Sequence, residues 1–239
     1  MKNIPVVIFC GGYGSRLREK TRYKPKTMVE VGGMPLIWHL MKIYQHHGFN
    51  DFILTLGYRG DYIRKFLAEN EHLFADFNIT LADTGESTAT GGRLLRVAKH
   101  INNDTFMCTY GDGLSDIDLT RLLKFHRGFN DVIATITGVF VPHTFGIISI
   151  TKEGKLISYQ KGHRMEKPIN AGFMILEKDY LNYLDDSMMI EEPFNVLASE
   201  GKQAVYLHDG YFSAIDTYKD LDVMNKAWEE GSPWKTWND

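Results

Sequence analysis

Three glycines, an arginine and a lysine near the start of the chain have the types and spacing to hold a polyphosphate. In "FCGGYGSRL" (9–17), Gly11, Gly12 and Gly14 follow a short apolar run. Glycines there let backbone N–H groups approach phosphate oxygens with no Cβ in the way. Arg16 is placed to clasp a phosphate, and Lys26, stiffened by Pro25 in "KPKTMVEVGG" (24–33), adds a second cation. Two such cations beside a glycine cradle repel each other unless an anion arrives. A dinucleotide fingerprint built on Gly12 and Gly14 needs a third glycine at position 17, which is Leu17, and no Gly-Lys-Ser/Thr follows.

Two carboxylates stand where a metal ion would help. Asp112 in "TYGDG" (109–113) ends an apolar run, at the carboxyl edge of a strand where open α/β sheets bind ligands. Asp216 in "FSAIDTYKD" (212–220) also follows an apolar run, and reads equally as the N-cap of a helix over 217–230. If the two meet, they suit Mg²⁺, which takes one or two carboxylates plus phosphate oxygens. A further stretch, "DTGESTATGGRLLRV" (83–97), places small residues ahead of a helix carrying Arg93 and Arg96.

The elements that must position these groups follow from hydrophobic period. Apolar, β-branched runs at 5–9, 51–57, 78–83 and 105–112 alternate with helix-period stretches at 35–48 and 60–72. Such βαβα spacing with continuous apolar strands predicts a parallel sheet covered on both faces. Strand-like runs then crowd together at 131–140, 145–150, 155–160 and 170–176, with the turn "TKEGK" (151–155) joining two of them as a hairpin. The fold class expected is α/β, with a mixed, mostly parallel central sheet.

A chain of 239 residues with 44% apolar and 13% aromatic content can bury a large core, and neither repeat nor linker divides it, so one domain over 1–239 is expected. A net charge of −3 with scattered Lys and Arg gives no nucleic-acid footprint. No run approaches the ~20 apolar residues of a membrane span, and the first residues lead straight into a strand, so a cytoplasmic protein with no membrane partner is expected. Cys10 and Cys108 lie in apolar runs and read as buried free thiols. The two tryptophans of "SPWKTWND" (232–239) predict a tail packed on the body.

Taken together and in order, "GGYGSRLREKTRYKPKTMVEVGGMPLIWH", "DTGESTATGGRLLRV", "TYGDGLSDID" and "PWKTW" resemble the sugar-phosphate nucleotidyltransferase family, nearest its glucose-1-phosphate cytidylyltransferase branch. The resemblance runs nearly end to end and implies a Rossmann-like three-layer fold of the nucleotide-diphospho-sugar transferase type. It implies that Gly11, Gly12, Gly14 and Arg16 hold the triphosphate of CTP, that Lys26 reaches the reacting phosphates, and that Arg16 and Lys26 are catalytic. Asp112 and Asp216 would bind Mg²⁺, Asp112 also facing the nucleotide, while Thr90, Gly91 and Arg93 would help read a pyrimidine. A homo-oligomer is the expected assembly.

Two departures from the family pattern stand out. The family's F-Q-E-K-P motif precedes an I-N-G-G segment, whereas "SYQKGHRMEKPINAGF" (158–173) splits it. Either Lys161 or Lys167 fills the lysine's place, with Glu166 and Asn170 beside the phosphorylated acceptor. A segment that the glucose-1-phosphate enzymes carry after the helix ending near His72 is also missing here.

The implied chemistry needs no general base, because an anionic phosphate oxygen attacks the α-phosphorus in line as pyrophosphate leaves. Three rivals remain open on sequence. They are the same reaction on a phosphorylated amino acid or polyol, a non-catalytic nucleotide sensor, and an NAD-dependent oxidoreductase, which Leu17 disfavours.

Overall fold

The structure, a computed structural model, describes residues 4–14, 17, 21, 23–143 and 145–237. In chain order its strands are β1 (Val6–Phe9), β2 (Glu30–Val31), β3 (Met34–Pro35), β4 (Asp51–Leu56), β5 (Asn78–Asp83), β6 (Thr105–Tyr110), β7 (Gly113–Ser115) and β8 (Ala134–Val139). They continue with β9 (Ile147–Ile150), β10 (Leu156–Gln160), β11 (Ile169–Glu177), β12 (Gln203–His208) and β13 (Phe212–Ala214). The α-helices are α1 (Leu36–His46), α2 (Gly60–Glu69), α3 (Thr90–Val97), α4 (Leu119–His126), α5 (Phe194–Ser199) and α6 (Tyr218–Glu229).

Seven strands form one sheet in the order β12-β8-β11-β6-β1-β4-β5. β1 runs parallel to β4 and β6, β4 to β5, and β8 to β12, while β11 is antiparallel to both of its neighbours. The sheet is therefore mixed and mostly parallel. Its strands are apolar on both sides because both faces are buried: Val6 and Ile8 join one core cluster, Val7 and Phe9 the other. Helix α1 shows why the 3.6-residue period matters, since Leu36, Ile37, Leu40, Met41, Ile43 and Tyr44 all turn inward.

The chain passes from β1 to β4 on one side and later fills β6 on the other, so β1 marks the point where strand order reverses. The crevice beyond the carboxyl ends of β1, β4 and β6 is where such sheets take ligands. The predicted hairpin forms from β9 and β10, closed by Thr151 N–H donating to Lys155 O at 2.8 Å.

The end of the chain packs back on its beginning. Trp234 is fully buried and Trp237 nearly so. Trp234 Nε1 donates to His39 Nδ1 at 3.3 Å, which leaves His39 Nε2 to donate to Val31 O at 2.9 Å. Asn225 of α6 accepts from Gly32 N–H at 3.0 Å. Cys10 and Cys108 are both free and buried.

Candidate active site

The groups singled out in the sequence gather at the carboxyl edge of the sheet. Gly11, Gly12 and Gly14 leave β1 and line a cavity of about 430 Å³ together with Lys26, Asp112 and Arg93. Gly14 adopts φ +57°, a left-handed turn that suits glycine. Arg16 lies outside the described residues.

Lys26 is the hub of the site. Its Nζ donates to Asp112 Oδ2 and to Asp216 Oδ1, each at 2.7 Å. Burial alone would lower the Lys26 ammonium, but the two carboxylates outweigh it and hold its pKa above the ordinary lysine value. Asp216 is available for this because it is not the helix cap: Thr217 caps α6 in a reciprocal capping box with Asp220. Two carboxylate oxygens are thus held within twice a hydrogen-bond length of each other beside the glycine loop. Among the described residues, no group of three or more His, Cys, Asp or Glu side chains converges on a metal-sized point. A hard divalent cation would find two carboxylates here and take its remaining oxygens from phosphates and water.

The "TATGG" stretch has a use that periodicity does not reveal. Thr90 Oγ1 accepts from Ile190 N–H at 2.8 Å, and Gly91 N–H donates to Met188 O at 2.9 Å. A Cβ on Gly91 would stand 2.6 Å from Met188 O, so glycine is what lets the loop before α5 dock on α3. Arg93 is 3% exposed, and its guanidinium donates to Leu56 O, Thr84 Oγ1, Gly11 O and Glu86 O at 2.8–3.2 Å. It thereby ties the glycine loop, the end of β4 and the 83–90 loop together. Thr90 and Arg93 still border the cavity, where Glu86, Tyr110 and Met189 join them. Glu86 and Tyr110 sit inside motifs quoted from the sequence yet carried no signal of their own. Met189 lies in an irregular loop with no period to read.

The acceptor candidates are not among the residues that line this cavity. Lys161, Glu166 and Lys167 are exposed on the connection from β10 to β11, and Asn170 is exposed as the second residue of β11. That connection is laid against residues 140–143: His143 N–H donates to His163 O at 2.8 Å and Met165 N–H to Val141 O at 2.9 Å. Arg164 Nε donates to Phe140 O at 3.1 Å, which occupies one edge of its guanidinium.

With this geometry in hand, similarity to known proteins can be placed on it. A family model described as nucleotidyl transferase matches residues 5–239. The chain is 38% identical to a probable glucose-1-phosphate cytidylyltransferase of Bacillus subtilis strain 168, covering 97% of this chain and 99% of that protein. It is also 38% identical to the glucose-1-phosphate cytidylyltransferase of Salmonella typhimurium strain LT2, covering 97% and 98% respectively. Among solved structures, HddC from Yersinia pseudotuberculosis complexed with GMP-PN superposes with a TM-score of 0.71 at 26% identity, covering 94% of this chain and 99% of that one.

Proposed function

The chain belongs to the nucleotidyl transferase family, and from that premise we propose that it transfers CMP from CTP to glucose 1-phosphate and releases pyrophosphate. The observation that carries this reading is the meeting of Lys26 with Asp112 and Asp216 beside the glycine loop. A cation flanked by two carboxylates at a phosphate-sized cradle is an arrangement for positioning charged oxygens.

In this reading the N–H groups of Gly11, Gly12 and Gly14 and the side chain of Arg16 orient the triphosphate, while Lys26 stabilises charge on the transferring phosphoryl oxygens. Asp112 and Asp216 would hold Mg²⁺, which when bound neutralises phosphate charge and supports in-line geometry. The acceptor's phosphate is already an anion, so the protein has to bring it into line rather than deprotonate it. Thr90, Gly91 and Arg93 shape the base pocket from behind, and Glu86 on its wall offers a carboxylate to the exocyclic amine of cytosine. Lys167, or Lys161, meets the acceptor phosphate, with Glu166 and Asn170 beside it. The reading includes a cytoplasmic location and assembly into a homo-oligomer. No helix among the described residues is long and apolar enough to cross a membrane.

The exposed, rebuilt 161–168 connection favours a second reading, in which the acceptor is a phosphorylated polyol or amino acid. Pyrophosphate release decides, measured with CTP, UTP, GTP and ATP against glucose 1-phosphate, a polyol phosphate and a phosphorylated amino acid. The highest kcat/KM for CTP with glucose 1-phosphate is expected. Preference for a purine triphosphate or for a non-sugar acceptor would overturn the corresponding half of the reading.

A further inference from the structure

Glu191 is an anomaly that the chemistry above does not use. It lies in the loop before α5, accepts a short hydrogen bond from the Tyr110 hydroxyl, and has its other oxygen, Oε2, buried with no partner among the described residues. An unpaired buried carboxylate oxygen costs stability that an apolar side chain would not, so the fold gains nothing from it as packing. What it does fix is the position of one phenol. The phenol O–H is the donor and a Glu191 carboxylate oxygen the acceptor, so the tether holds the ring from its hydroxyl end.

Tyr110 touches both halves of the site. Its ring lines the nucleotide cavity. The Cδ2 edge of the same ring lies against Gly172, where a Cβ would stand 2.2 Å from Tyr110 Cδ2 and where φ is +79°. Gly172 sits in the bulge of β11 between Asn170 and Met174, and its N–H donates to Asn170 Oδ1 at 2.9 Å. On its far side, Glu191 belongs to the loop that Thr90 and Gly91 hold by the hydrogen bonds to Ile190 N–H and Met188 O. One continuous set of contacts therefore runs from the start of α3 through Glu191 and Tyr110 to the Asn170–Gly172 turn.

We propose that Tyr110, held by Glu191, is a positioning residue for the acceptor: its ring sets the Asn170–Gly172 turn at a fixed place relative to the nucleotide cavity. The inference rests on the reading that Asn170 lies at the acceptor end of the site. Losing the hydroxyl's tether loosens the turn that meets the acceptor and leaves the phosphate cradle untouched, so the loss falls on acceptor binding.

The test is steady-state kinetics with each substrate varied, on Tyr110→Phe, Glu191→Leu, Glu191→Gln and Asn170→Ala, with thermal melts to confirm folding. Tyr110→Phe and Glu191→Leu are expected to raise KM for glucose 1-phosphate about tenfold, at least about threefold more than they raise KM for CTP. Glu191→Gln keeps an oxygen to accept the phenol's hydrogen and is expected to recover most of the loss seen with leucine. Equal changes in both KM values, or a glutamine variant as impaired as the leucine one, would overturn the proposal. If Tyr110→Phe does not fold, the comparison of leucine with glutamine at 191 decides. An Asn170→Ala variant with unchanged acceptor KM removes the acceptor reading and this inference with it. A raised KM in Asn170→Ala beside a silent Tyr110→Phe overturns the inference alone.

Discussion

Lys26 Nζ stands 2.7 Å from Asp216 Oδ1 although 190 residues separate them, and the same nitrogen is 2.7 Å from Asp112 Oδ2. The three groups therefore act as one unit. Removing Lys26 leaves two carboxylates facing each other without a cation, and removing either aspartate leaves Lys26 a single ion pair.

Asp112→Asn and Asp216→Asn are each expected to fold normally and to lower kcat by about 100- to 1,000-fold, since an amide of the same shape is a poorer ligand for Mg²⁺ and a poorer partner for Lys26. Because both serve one unit, the double variant should fall far short of the product of the singles. Pyrophosphate release across a Mg²⁺ titration checks this, and near-wild-type turnover in either single variant would reduce that aspartate to a turn residue.

Lys167→Ala is expected to lower kcat/KM for the acceptor by about 30- to 1,000-fold with little change in CTP affinity, the loss of one charge-assisted contact that strengthens in the transition state. Lys167 is preferred over Lys161 because it keeps the Glu-Lys-Pro context next to Asn170. An active Lys167→Ala with an impaired Lys161→Ala would reverse that choice.

Arg93→Lys should cost about 2 kcal/mol of stability and raise KM for CTP, because an ammonium cannot reach the four acceptors that the guanidinium fork joins and some are left buried without a donor. Urea unfolding and nucleotide kinetics on the same protein give the two readouts. A lysine variant as stable as the parent would show that the fork is dispensable.

His39 gives the fold a defined acid limit. Burial lowers its pKa from 6.5 to about 4. The native state therefore refuses a proton that the unfolded chain accepts, so this contribution is complete above pH 6.5 and is lost progressively as pH falls toward 4. The full loss amounts to about 3 kcal/mol. Urea unfolding at pH 7.5, 6 and 5 should show the decline in the parent and a shallower one in His39→Gln, and parallel slopes would discount His39.

Much of the sheet could be read from residues alone, because buried parallel strands announce themselves as unbroken apolar runs. The run at 105–112 became β6, and the helix expected over 217–230 became α6. Edge elements were harder to read. β12 alternates exposed Val205 and Leu207 with more buried neighbours, so it offers no unbroken apolar run to read. Side-chain assignments within the site were only half legible. Sequence spacing brings out charged groups, as with Lys26 and Asp112. It does not show that the polar atoms of Thr90, Gly91 and Arg93 are bonded to other parts of the protein, since those partners lie in loops distant along the chain.

Helix α6 and the two buried tryptophans beyond it close over the segment that carries Lys26, and this orders events during synthesis. By the time Ile215 has left the ribosome, the glycine loop, Lys26 and Asp112 are all free to fold, yet Asp216, the third member of the ion-paired group, is still to come. A chain stalled there has the glycine loop and Lys26 but lacks the second carboxylate that pairs with it. Contacts of such long sequence separation also form late in refolding, so burial of Trp234 against His39, seen as a blue shift in indole emission, should coincide with the onset of turnover.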